Sequence, residues 1–516
     1  MIKITDLVKK YNIKSKDLSI CGNDVIKVRP NTNFKNLQGS NLILVTAINP
    51  TPKGEGKTTC AITITDALNS IKQKSILCLR QPSIGPTLGM KGGASGAGWS
   101  EVVPKELIDY GLTGDFFYVE TINNLIASIV DNSIYYDNPF KIDPKKIIFK
   151  RCLDVSDRSL RDINISLIPK KNLRYTTGFN MTSASEVMAV WCLSKDMDDF
   201  IKRINNIIVA YTYNNKPIYV KSFHIDNAIK RLASRMLWPN AVRTKRDSLC
   251  FIHGGPFANI AHGCNSIIAL NTARKYAKYV VTEAGFGADL GAEKFINILS
   301  RQYMPPKCIV LVTTIKSLKY HGKNNNDLET GMLNLIQHTK AIKSYGINPY
   351  VVINLFGDES KKEINYIKNW CKKNSIMCGM FSPVIKKDAG AVKVAKDLVK
   401  LCNKTPKVKY SYQLTDKLED KIAKIAAKVY GIKKQNIVYS KQALKLLKQY
   451  SRLPYFVCVA KTPYALSSNA KELMFNKDAK LTINDLVIAN GAAFIIPICE
   501  SIFRMPGLPK TPNAQK

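Results

Sequence analysis

Residues 42–58 read L-I-L-V-T-A-I-N-P-T-P-K-G-E-G-K-T. An apolar run, Leu42–Ile48, breaks at Asn-Pro, and a Gly/Lys loop then opens onto a helix-like stretch from Thr59 to Ile71. Strand, glycine-bearing loop and helix in that order bring backbone N–H groups and the positive end of a helix dipole to one point, which suits a bound phosphate. Gly54 and Gly56 allow close approach, Lys57 can reach the β/γ oxygens of a polyphosphate, and the Thr58 hydroxyl can join an Mg²⁺ shell. On this reading Thr51, Pro52, Lys53, Gly54, Glu55, Gly56, Lys57, Thr58 and Thr59 line ATP. The strict G-x-x-x-x-G-K-[ST] spacing asks for glycine at Thr51, and the competing reading is an ordinary strand-to-helix turn.

Four more apolar segments resemble the first: Ser75–Leu79, Tyr279–Thr282, Cys308–Thr314 and Tyr350–Leu355, each bounded by turn residues and followed by material that can form a helix. Continuous apolar runs suit strands buried on both faces, so the expected class is α/β, with a P-loop-type parallel sheet whose carboxyl edge carries the chemistry. The expected division is residues 1–109 with 248–348 as the nucleotide-binding part, 110–247 as an inserted middle domain, and 349–516 as a C-terminal α/β domain. Helical patterns at Leu193–Ile208, Leu414–Tyr430 and Lys441–Tyr450, with strands at Ile208–Tyr211 and Tyr455–Val459, fill the later two.

A chain of 516 residues with 45% apolar content has material for two or three cores. Net charge is +38, yet the 77 Lys and Arg are spread along the whole sequence with no basic run interleaved with aromatics. That distribution reads as solvated surface and argues against a specific nucleic-acid partner. The 13 cysteines include no C-x-x-C pair, the nearest spacing being Cys371 to Cys378, which suits reduced thiols in a cytoplasmic protein. No run approaches the length of a membrane span.

Several motifs beyond the loop occur in the order found in the formate–tetrahydrofolate ligase family: G-P-T-L-G-M-K-G-G-A-S-G-A-G from Gly85, T-G-D from Thr113, D-R-S-L-R from Asp157, A-S-E-V-M-A from Ala184, H-G-G-P-F-A-N-I-A-H-G-C-N-S from His253, T-E-A-G-F-G-A-D-L-G-A-E-K-F from Thr282, A-K-T-P-Y-A-L-S from Ala460 and M-P-G-L-P-K from Met505. The chain resembles that family over nearly its whole length. The resemblance implies a homotetramer that converts ATP, formate and tetrahydrofolate to ADP, phosphate and 10-formyltetrahydrofolate through formyl phosphate, with Mg²⁺ accompanying ATP and a monovalent cation, K⁺ or NH₄⁺, as a possible further requirement. Formate is a poor electrophile, so its oxygen must attack the γ-phosphorus while cations absorb the equatorial charge; Lys57, Mg²⁺ and Arg80 are the candidates. Arg80 follows the second strand, and its planar fork suits formate or formyl phosphate, the alternative being a surface ion pair. Formyl transfer also releases a proton. His253 and His262 are candidate acceptors, or they simply hydrogen-bond backbone. Asp115 is placed on the folate amine or a cation, Phe286 on adenine, and Glu283 and Asp289 behind the Mg²⁺ shell; each carboxylate could equally cap a helix.

The chain departs from the family pattern chiefly on the folate side. N-R-F-P-T-D-T becomes N-L-F-G-D-E-S at 354–360, and W-A-K-G-G-E-G-G becomes I-K-K-D-A-G-A from Ile385, so Ile385 stands where an aromatic ring would face Phe356 across the folate. Gln81 replaces a glutamate after Arg80, and C-E-S-I-F-R-M-P-G from Cys499 replaces G-D-I-M-T-M-P-G.

Overall fold

A computed structural model describes residues 2–34, 39–52, 54–91, 93, 95–168, 173–385, 388–500 and 502–515. Lys53 and the Lys386–Lys387 pair therefore lie outside the described residues. Its centre is a sheet of seven parallel strands: β1 (Asn41–Ala47), β2 (Ser75–Leu79), β3 (Leu249–Ile252), β4 (Tyr279–Gly287), β5 (Cys308–Thr313), β6 (Pro349–Asn354) and β7 (Met377–Phe381). They lie side by side in the order β3-β2-β4-β1-β5-β6-β7. All five apolar segments read from the sequence are members. Tyr279 pairs with both Asn41 and Ser75, so β1, β2 and β4 start level and their carboxyl ends emerge together.

Side-chain alternation explains the unbroken apolar runs. Leu42, Leu44 and Ile76 join the core on one face of the sheet, while Ile43, Val45, Ala47 and Leu77 join the core on the other. Helix α1 (Lys57–Ser70) covers the second face with Ile62, Ile64 and Leu68, and α2 (Ala389–Cys402) packs beside it through Val394, Ala395 and Leu398. Each such large side chain contributes about 1.5–3 kcal/mol on burial, enough to hold α1 where its N-terminus meets the end of β1.

The expected boundaries differ from the sheet in two places. The cut at 348/349 falls inside it, because β6 and β7 extend the parallel array. The cut at 247/248 falls in a hairpin, because Asn240–Thr244 runs antiparallel to β3 and carries Ile26–Val28 on its outer side. A three-stranded sheet (Ile142–Ile147, Ile208–Thr212, Pro217–Tyr219) occupies the middle of the chain, and a four-stranded sheet (Ile437–Tyr439, Phe456–Val457, Leu481–Ala489, Phe494–Cys499) the C-terminal part. The helix expected over Leu414–Tyr430 is Leu418–Ile425, which widens into a π-turn over Ala426–Tyr430 and stops at Gly431 with φ 73°.

Candidate functional site

The loop leaving β1 is pinned from two neighbouring strands. Glu55, buried, accepts from the Thr51 backbone N–H at 2.8 Å and from the Thr314 hydroxyl, just past β5, at 2.6 Å. Asn354, at the end of β6, donates to the Glu55 carbonyl at 3.1 Å. Gly56 is required twice over: its φ is 70°, and a Cβ there would lie 2.6 Å from Asn354 Nδ2. Gly54, at φ 82°, faces open space. The result is a preorganised turn delivering Lys57 and Thr58 as the first residues of α1.

A compact charged cluster sits at that helix start. Glu283 of β4 accepts from the Thr58 hydroxyl at 2.8 Å through one oxygen and pairs with Arg80 Nη2 at 3.4 Å through the other. Arg80 Nη1 donates to the Pro256 carbonyl at 2.9 Å, and its buried Nε has no partner among the described residues. A Cβ on Gly285 would lie 2.8 Å from Arg80 Nη1, so that glycine makes room for the guanidinium. Burial pushes the Lys57 ammonium below its usual range, opposed by Glu283 and Glu55 and reinforced by Arg80. Arg80 thus meets the Glu283 carboxylate beside the helix N-terminus that Lys57 begins, an arrangement able to accept an incoming anion.

The two motif histidines occupy different environments. His253 is fully buried, with Nδ1 2.6 Å from the Ser266 hydroxyl, Nε2 2.8 Å from the Met236 carbonyl and its ring against the edge of Trp191. Both nitrogens are committed, and burial, then Lys27, push it down to about 3. His262 is equally buried, but neither ring nitrogen has a partner among the described residues. Burial pushes it to about 3 as well, reinforced by the Lys294 and Arg80 charges, so it stays neutral at ordinary pH. Lys294 is itself fully buried and donates to the carbonyls of Ala258 and Ala261.

Asp115 is fully buried, bonded to Lys27 at 2.8 Å and to Asn240 at 2.7 Å. It therefore ties the helix Asp115–Tyr135 to the antiparallel edge of the sheet, and neither oxygen is offered to an open surface. Burial pushes its carboxyl up, against the lowering pull of Lys27. Phe286 is half-buried and holds a left-handed backbone, φ 57°, uncommon for a bulky residue and a form of strain found at ligand-contacting turns. Phe356 is 51% exposed with Lys316 Nζ 5.3 Å from its ring centre, and Ile385 is 54% exposed with its carbonyl bonded to Arg246. Gln81 is buried; its amide N–H donates to the Gly111 carbonyl at 3.3 Å, while its Oε1 has no described partner.

The site also contains groups that sequence reasoning missed or left on the margin. Asn49, the first residue past Ile48, is buried and gripped on all sides. Its side-chain amide reaches Asp289 at 3.4 Å and the Pro463 carbonyl at 3.2 Å, its N–H faces His338 Nε2 at 3.1 Å, and its carbonyl faces His321 Nε2 at 2.9 Å. Asp289 forms a fully buried pair with Lys461 at 2.7 Å. This network anchors the root of the loop to the C-terminal part of the chain. In the sequence the network shows only as separate residues: the Asn-Pro break after an apolar run, Asp289 in T-E-A-G-F-G-A-D and Lys461 in A-K-T-P.

The formate–tetrahydrofolate ligase family model matches residues 1–516. Relatives bearing that name include proteins of Campylobacter concisus, 42% identical over 99% of this chain and 94% of its own length, and of Malacoplasma penetrans, 42% identical over 99% and 97%. A third, from Campylobacter curvus, is 41% identical over 99% and 96%. With the loop, its pinned glycine and the Thr58–Glu283–Arg80 cluster set at one edge of a parallel sheet, these matches establish that the chain belongs to the formate–tetrahydrofolate ligase family.

Proposed function

We propose that this protein ligates formate to tetrahydrofolate at the expense of ATP, giving 10-formyltetrahydrofolate, ADP and phosphate through formyl phosphate. The observation that carries the site assignment is the meeting of the Thr58 hydroxyl and Arg80 on Glu283 at the helix start that Lys57 begins. The loop at 51–59 holds the nucleotide in P-loop fashion, and the Lys57 charge neutralises the β/γ oxygens. Among the described residues no cluster of three or more His, Cys, Asp or Glu side chains could hold a metal by itself. A hydroxyl beside a buried carboxylate does suit an Mg²⁺ that arrives on ATP and keeps phosphate and water ligands, with Thr58 as its protein oxygen and Glu283 behind it. Such an ion supplies positive charge where phosphoryl transfer needs it.

Arg80 exchanges its long contact with Glu283 for formate or formyl phosphate, and its unpartnered Nε gives the fork a further donor. Phe286 offers a face to adenine. Phe356 offers one face to the folate ring, with Ile385 supplying apolar contact in place of a second ring. His262 remains near the phosphate side as a neutral imidazole. His253 acts by position, holding the loop 253–266 against the Met236 carbonyl. A monovalent cation, if used, meets an amide oxygen at Gln81 where a carboxylate would bind it more strongly. We further propose a homotetramer in the cytoplasm. The deciding experiment is formate-dependent ADP release with and without tetrahydrofolate, alongside Lys57→Ala. Release that ignores formate, or turnover undiminished by the substitution, overturns the reading.

A further inference from the structure

Away from the loop, a cavity of about 680 Å³ lies where the middle and C-terminal sheets approach, with Phe149, Phe179, Leu486 and Ile488 on its apolar walls and Lys150 and Arg504 among its polar groups. That volume falls in the range of small-molecule sites. Arg504 belongs to the block in which this chain departs from its family's pattern. One guanidinium nitrogen donates to the Ala184 carbonyl, but the buried Nε has no partner among the described residues. Lys150 has the Asp162 carboxylate as its foremost charged neighbour and Arg504 as the next, and its Nζ has one long bond, 3.4 Å, to the Arg161 carbonyl.

Carboxylates also border the space: Asp162 faces Lys150, Glu186 accepts from the Gly491 N–H at 2.6 Å, and Asp485 from the Leu486 N–H at 2.8 Å. Glu186 and Arg504 stand close enough for their charges to attract. Arg161 is occupied by the Met505 carbonyl at 2.9 Å and stacks on Phe503. Among the described side chains of this wall, then, the unmet buried hydrogen-bonding atom is a donor on a cation. Leaving such a donor dry is costly, and a ligand acceptor relieves it.

We propose that this cavity is a second binding site, separate from the ligase centre, for an amphipathic anion: a carboxylate that bridges Arg504 and Lys150 while its apolar body lies along Phe149, Phe179 and Ile488. The test uses octanoate as probe and the full-length protein in calorimetric titrations. Octanoate is expected to bind with saturating ATP present, and both Arg504→Met and Lys150→Met are expected to weaken it at least tenfold, with ligase turnover unchanged. Octanol, lacking the charge, is expected to bind equally weakly to all three proteins. The proposal is overturned by absence of octanoate binding, by affinity within twofold of the parent in both variants, by octanol matching octanoate, by inorganic phosphate matching octanoate, or by displacement with ATP. Two variants on different segments keep the test decisive if one of them fails to fold.

Discussion

Replacing Lys461 by methionine leaves Asp289 as a buried carboxylate with one contact, the 3.4 Å bond from Asn49. The lysine is fully buried, its ammonium 2.7 Å from Asp289, bonded also to the carbonyls of Thr462 and Ala465 and lying 5.1 Å from the Tyr430 ring centre. Methionine fills similar volume, so the loss is electrostatic. Removing one member of such a pair costs about 3–5 kcal/mol, because the survivor's charge stays uncompensated. The Asp289→Asn/Lys461→Met double variant carries no buried charge there, and much of the loss is expected back, giving a coupling of about 2 kcal/mol or more. Urea unfolding of the parent, both single variants and the double variant closes the cycle. Because Asn49 roots on this pair the loop proposed to hold ATP, the single variant should also raise the KM for ATP more than that for formate. A single-variant cost below about 1 kcal/mol, or simple additivity in the double variant, refutes the reasoning.

Arg80→Lys replaces a fork by a point charge and should lower kcat/KM for formate about ten- to a hundredfold, the loss of one charge-assisted contact of about 1.5–3 kcal/mol; initial rates against formate and ATP separately check that ATP is less affected. Ile385→Trp supplies the absent ring opposite Phe356 and should tighten tetrahydrofolate about two- to tenfold, from a stacking gain of about 0.5–1.5 kcal/mol. In the parent, raised salt should weaken folate binding if the lysines at 386 and 387 hold an anionic tail; a fluorescence titration reads both effects. Glu186, pushed up from 4.5 to about 7 chiefly by burial, contributes stability that is present below pH 4.5 and lost as pH rises through about 7. Glu186→Gln should therefore match the parent near pH 4.5 and exceed it above pH 7, by on the order of 3 kcal/mol at most, as read from denaturation midpoints across that range.

What the sequence discloses depends on how far apart the interacting residues are. β1, its loop and α1 were legible because an apolar run, two glycines and a helix start are adjacent in the chain, and the four companion strands declared themselves by runs buried on both faces. β7 (Met377–Phe381) was not, since its Met, Cys, Gly, Met and Phe make no apolar run of the β-branched kind. Leu481–Ala489 alternates only loosely between buried and part-exposed positions and is broken by Asn484 and Asp485, so it makes no continuous apolar run. The Asp289–Lys461 and Asn49–Asp289 contacts span 172 and 240 residues, and no local pattern marks them. Asp115 and the histidines show a different limit. A motif fixes which residues stand together, but burial decides what they can do. His253 and His262 share one motif; one has both nitrogens bonded while the other has neither, and that follows from where Ser266 and Met236 fold against the first and where Lys294 and Arg80 crowd the second. A proton acceptor for formyl transfer needs a pKa near the working pH, so a base assigned by residue type alone must give way to one chosen by solvation. Burial holds both motif histidines near 3, so each is neutral at ordinary pH, His253 with both nitrogens bonded and His262 with neither.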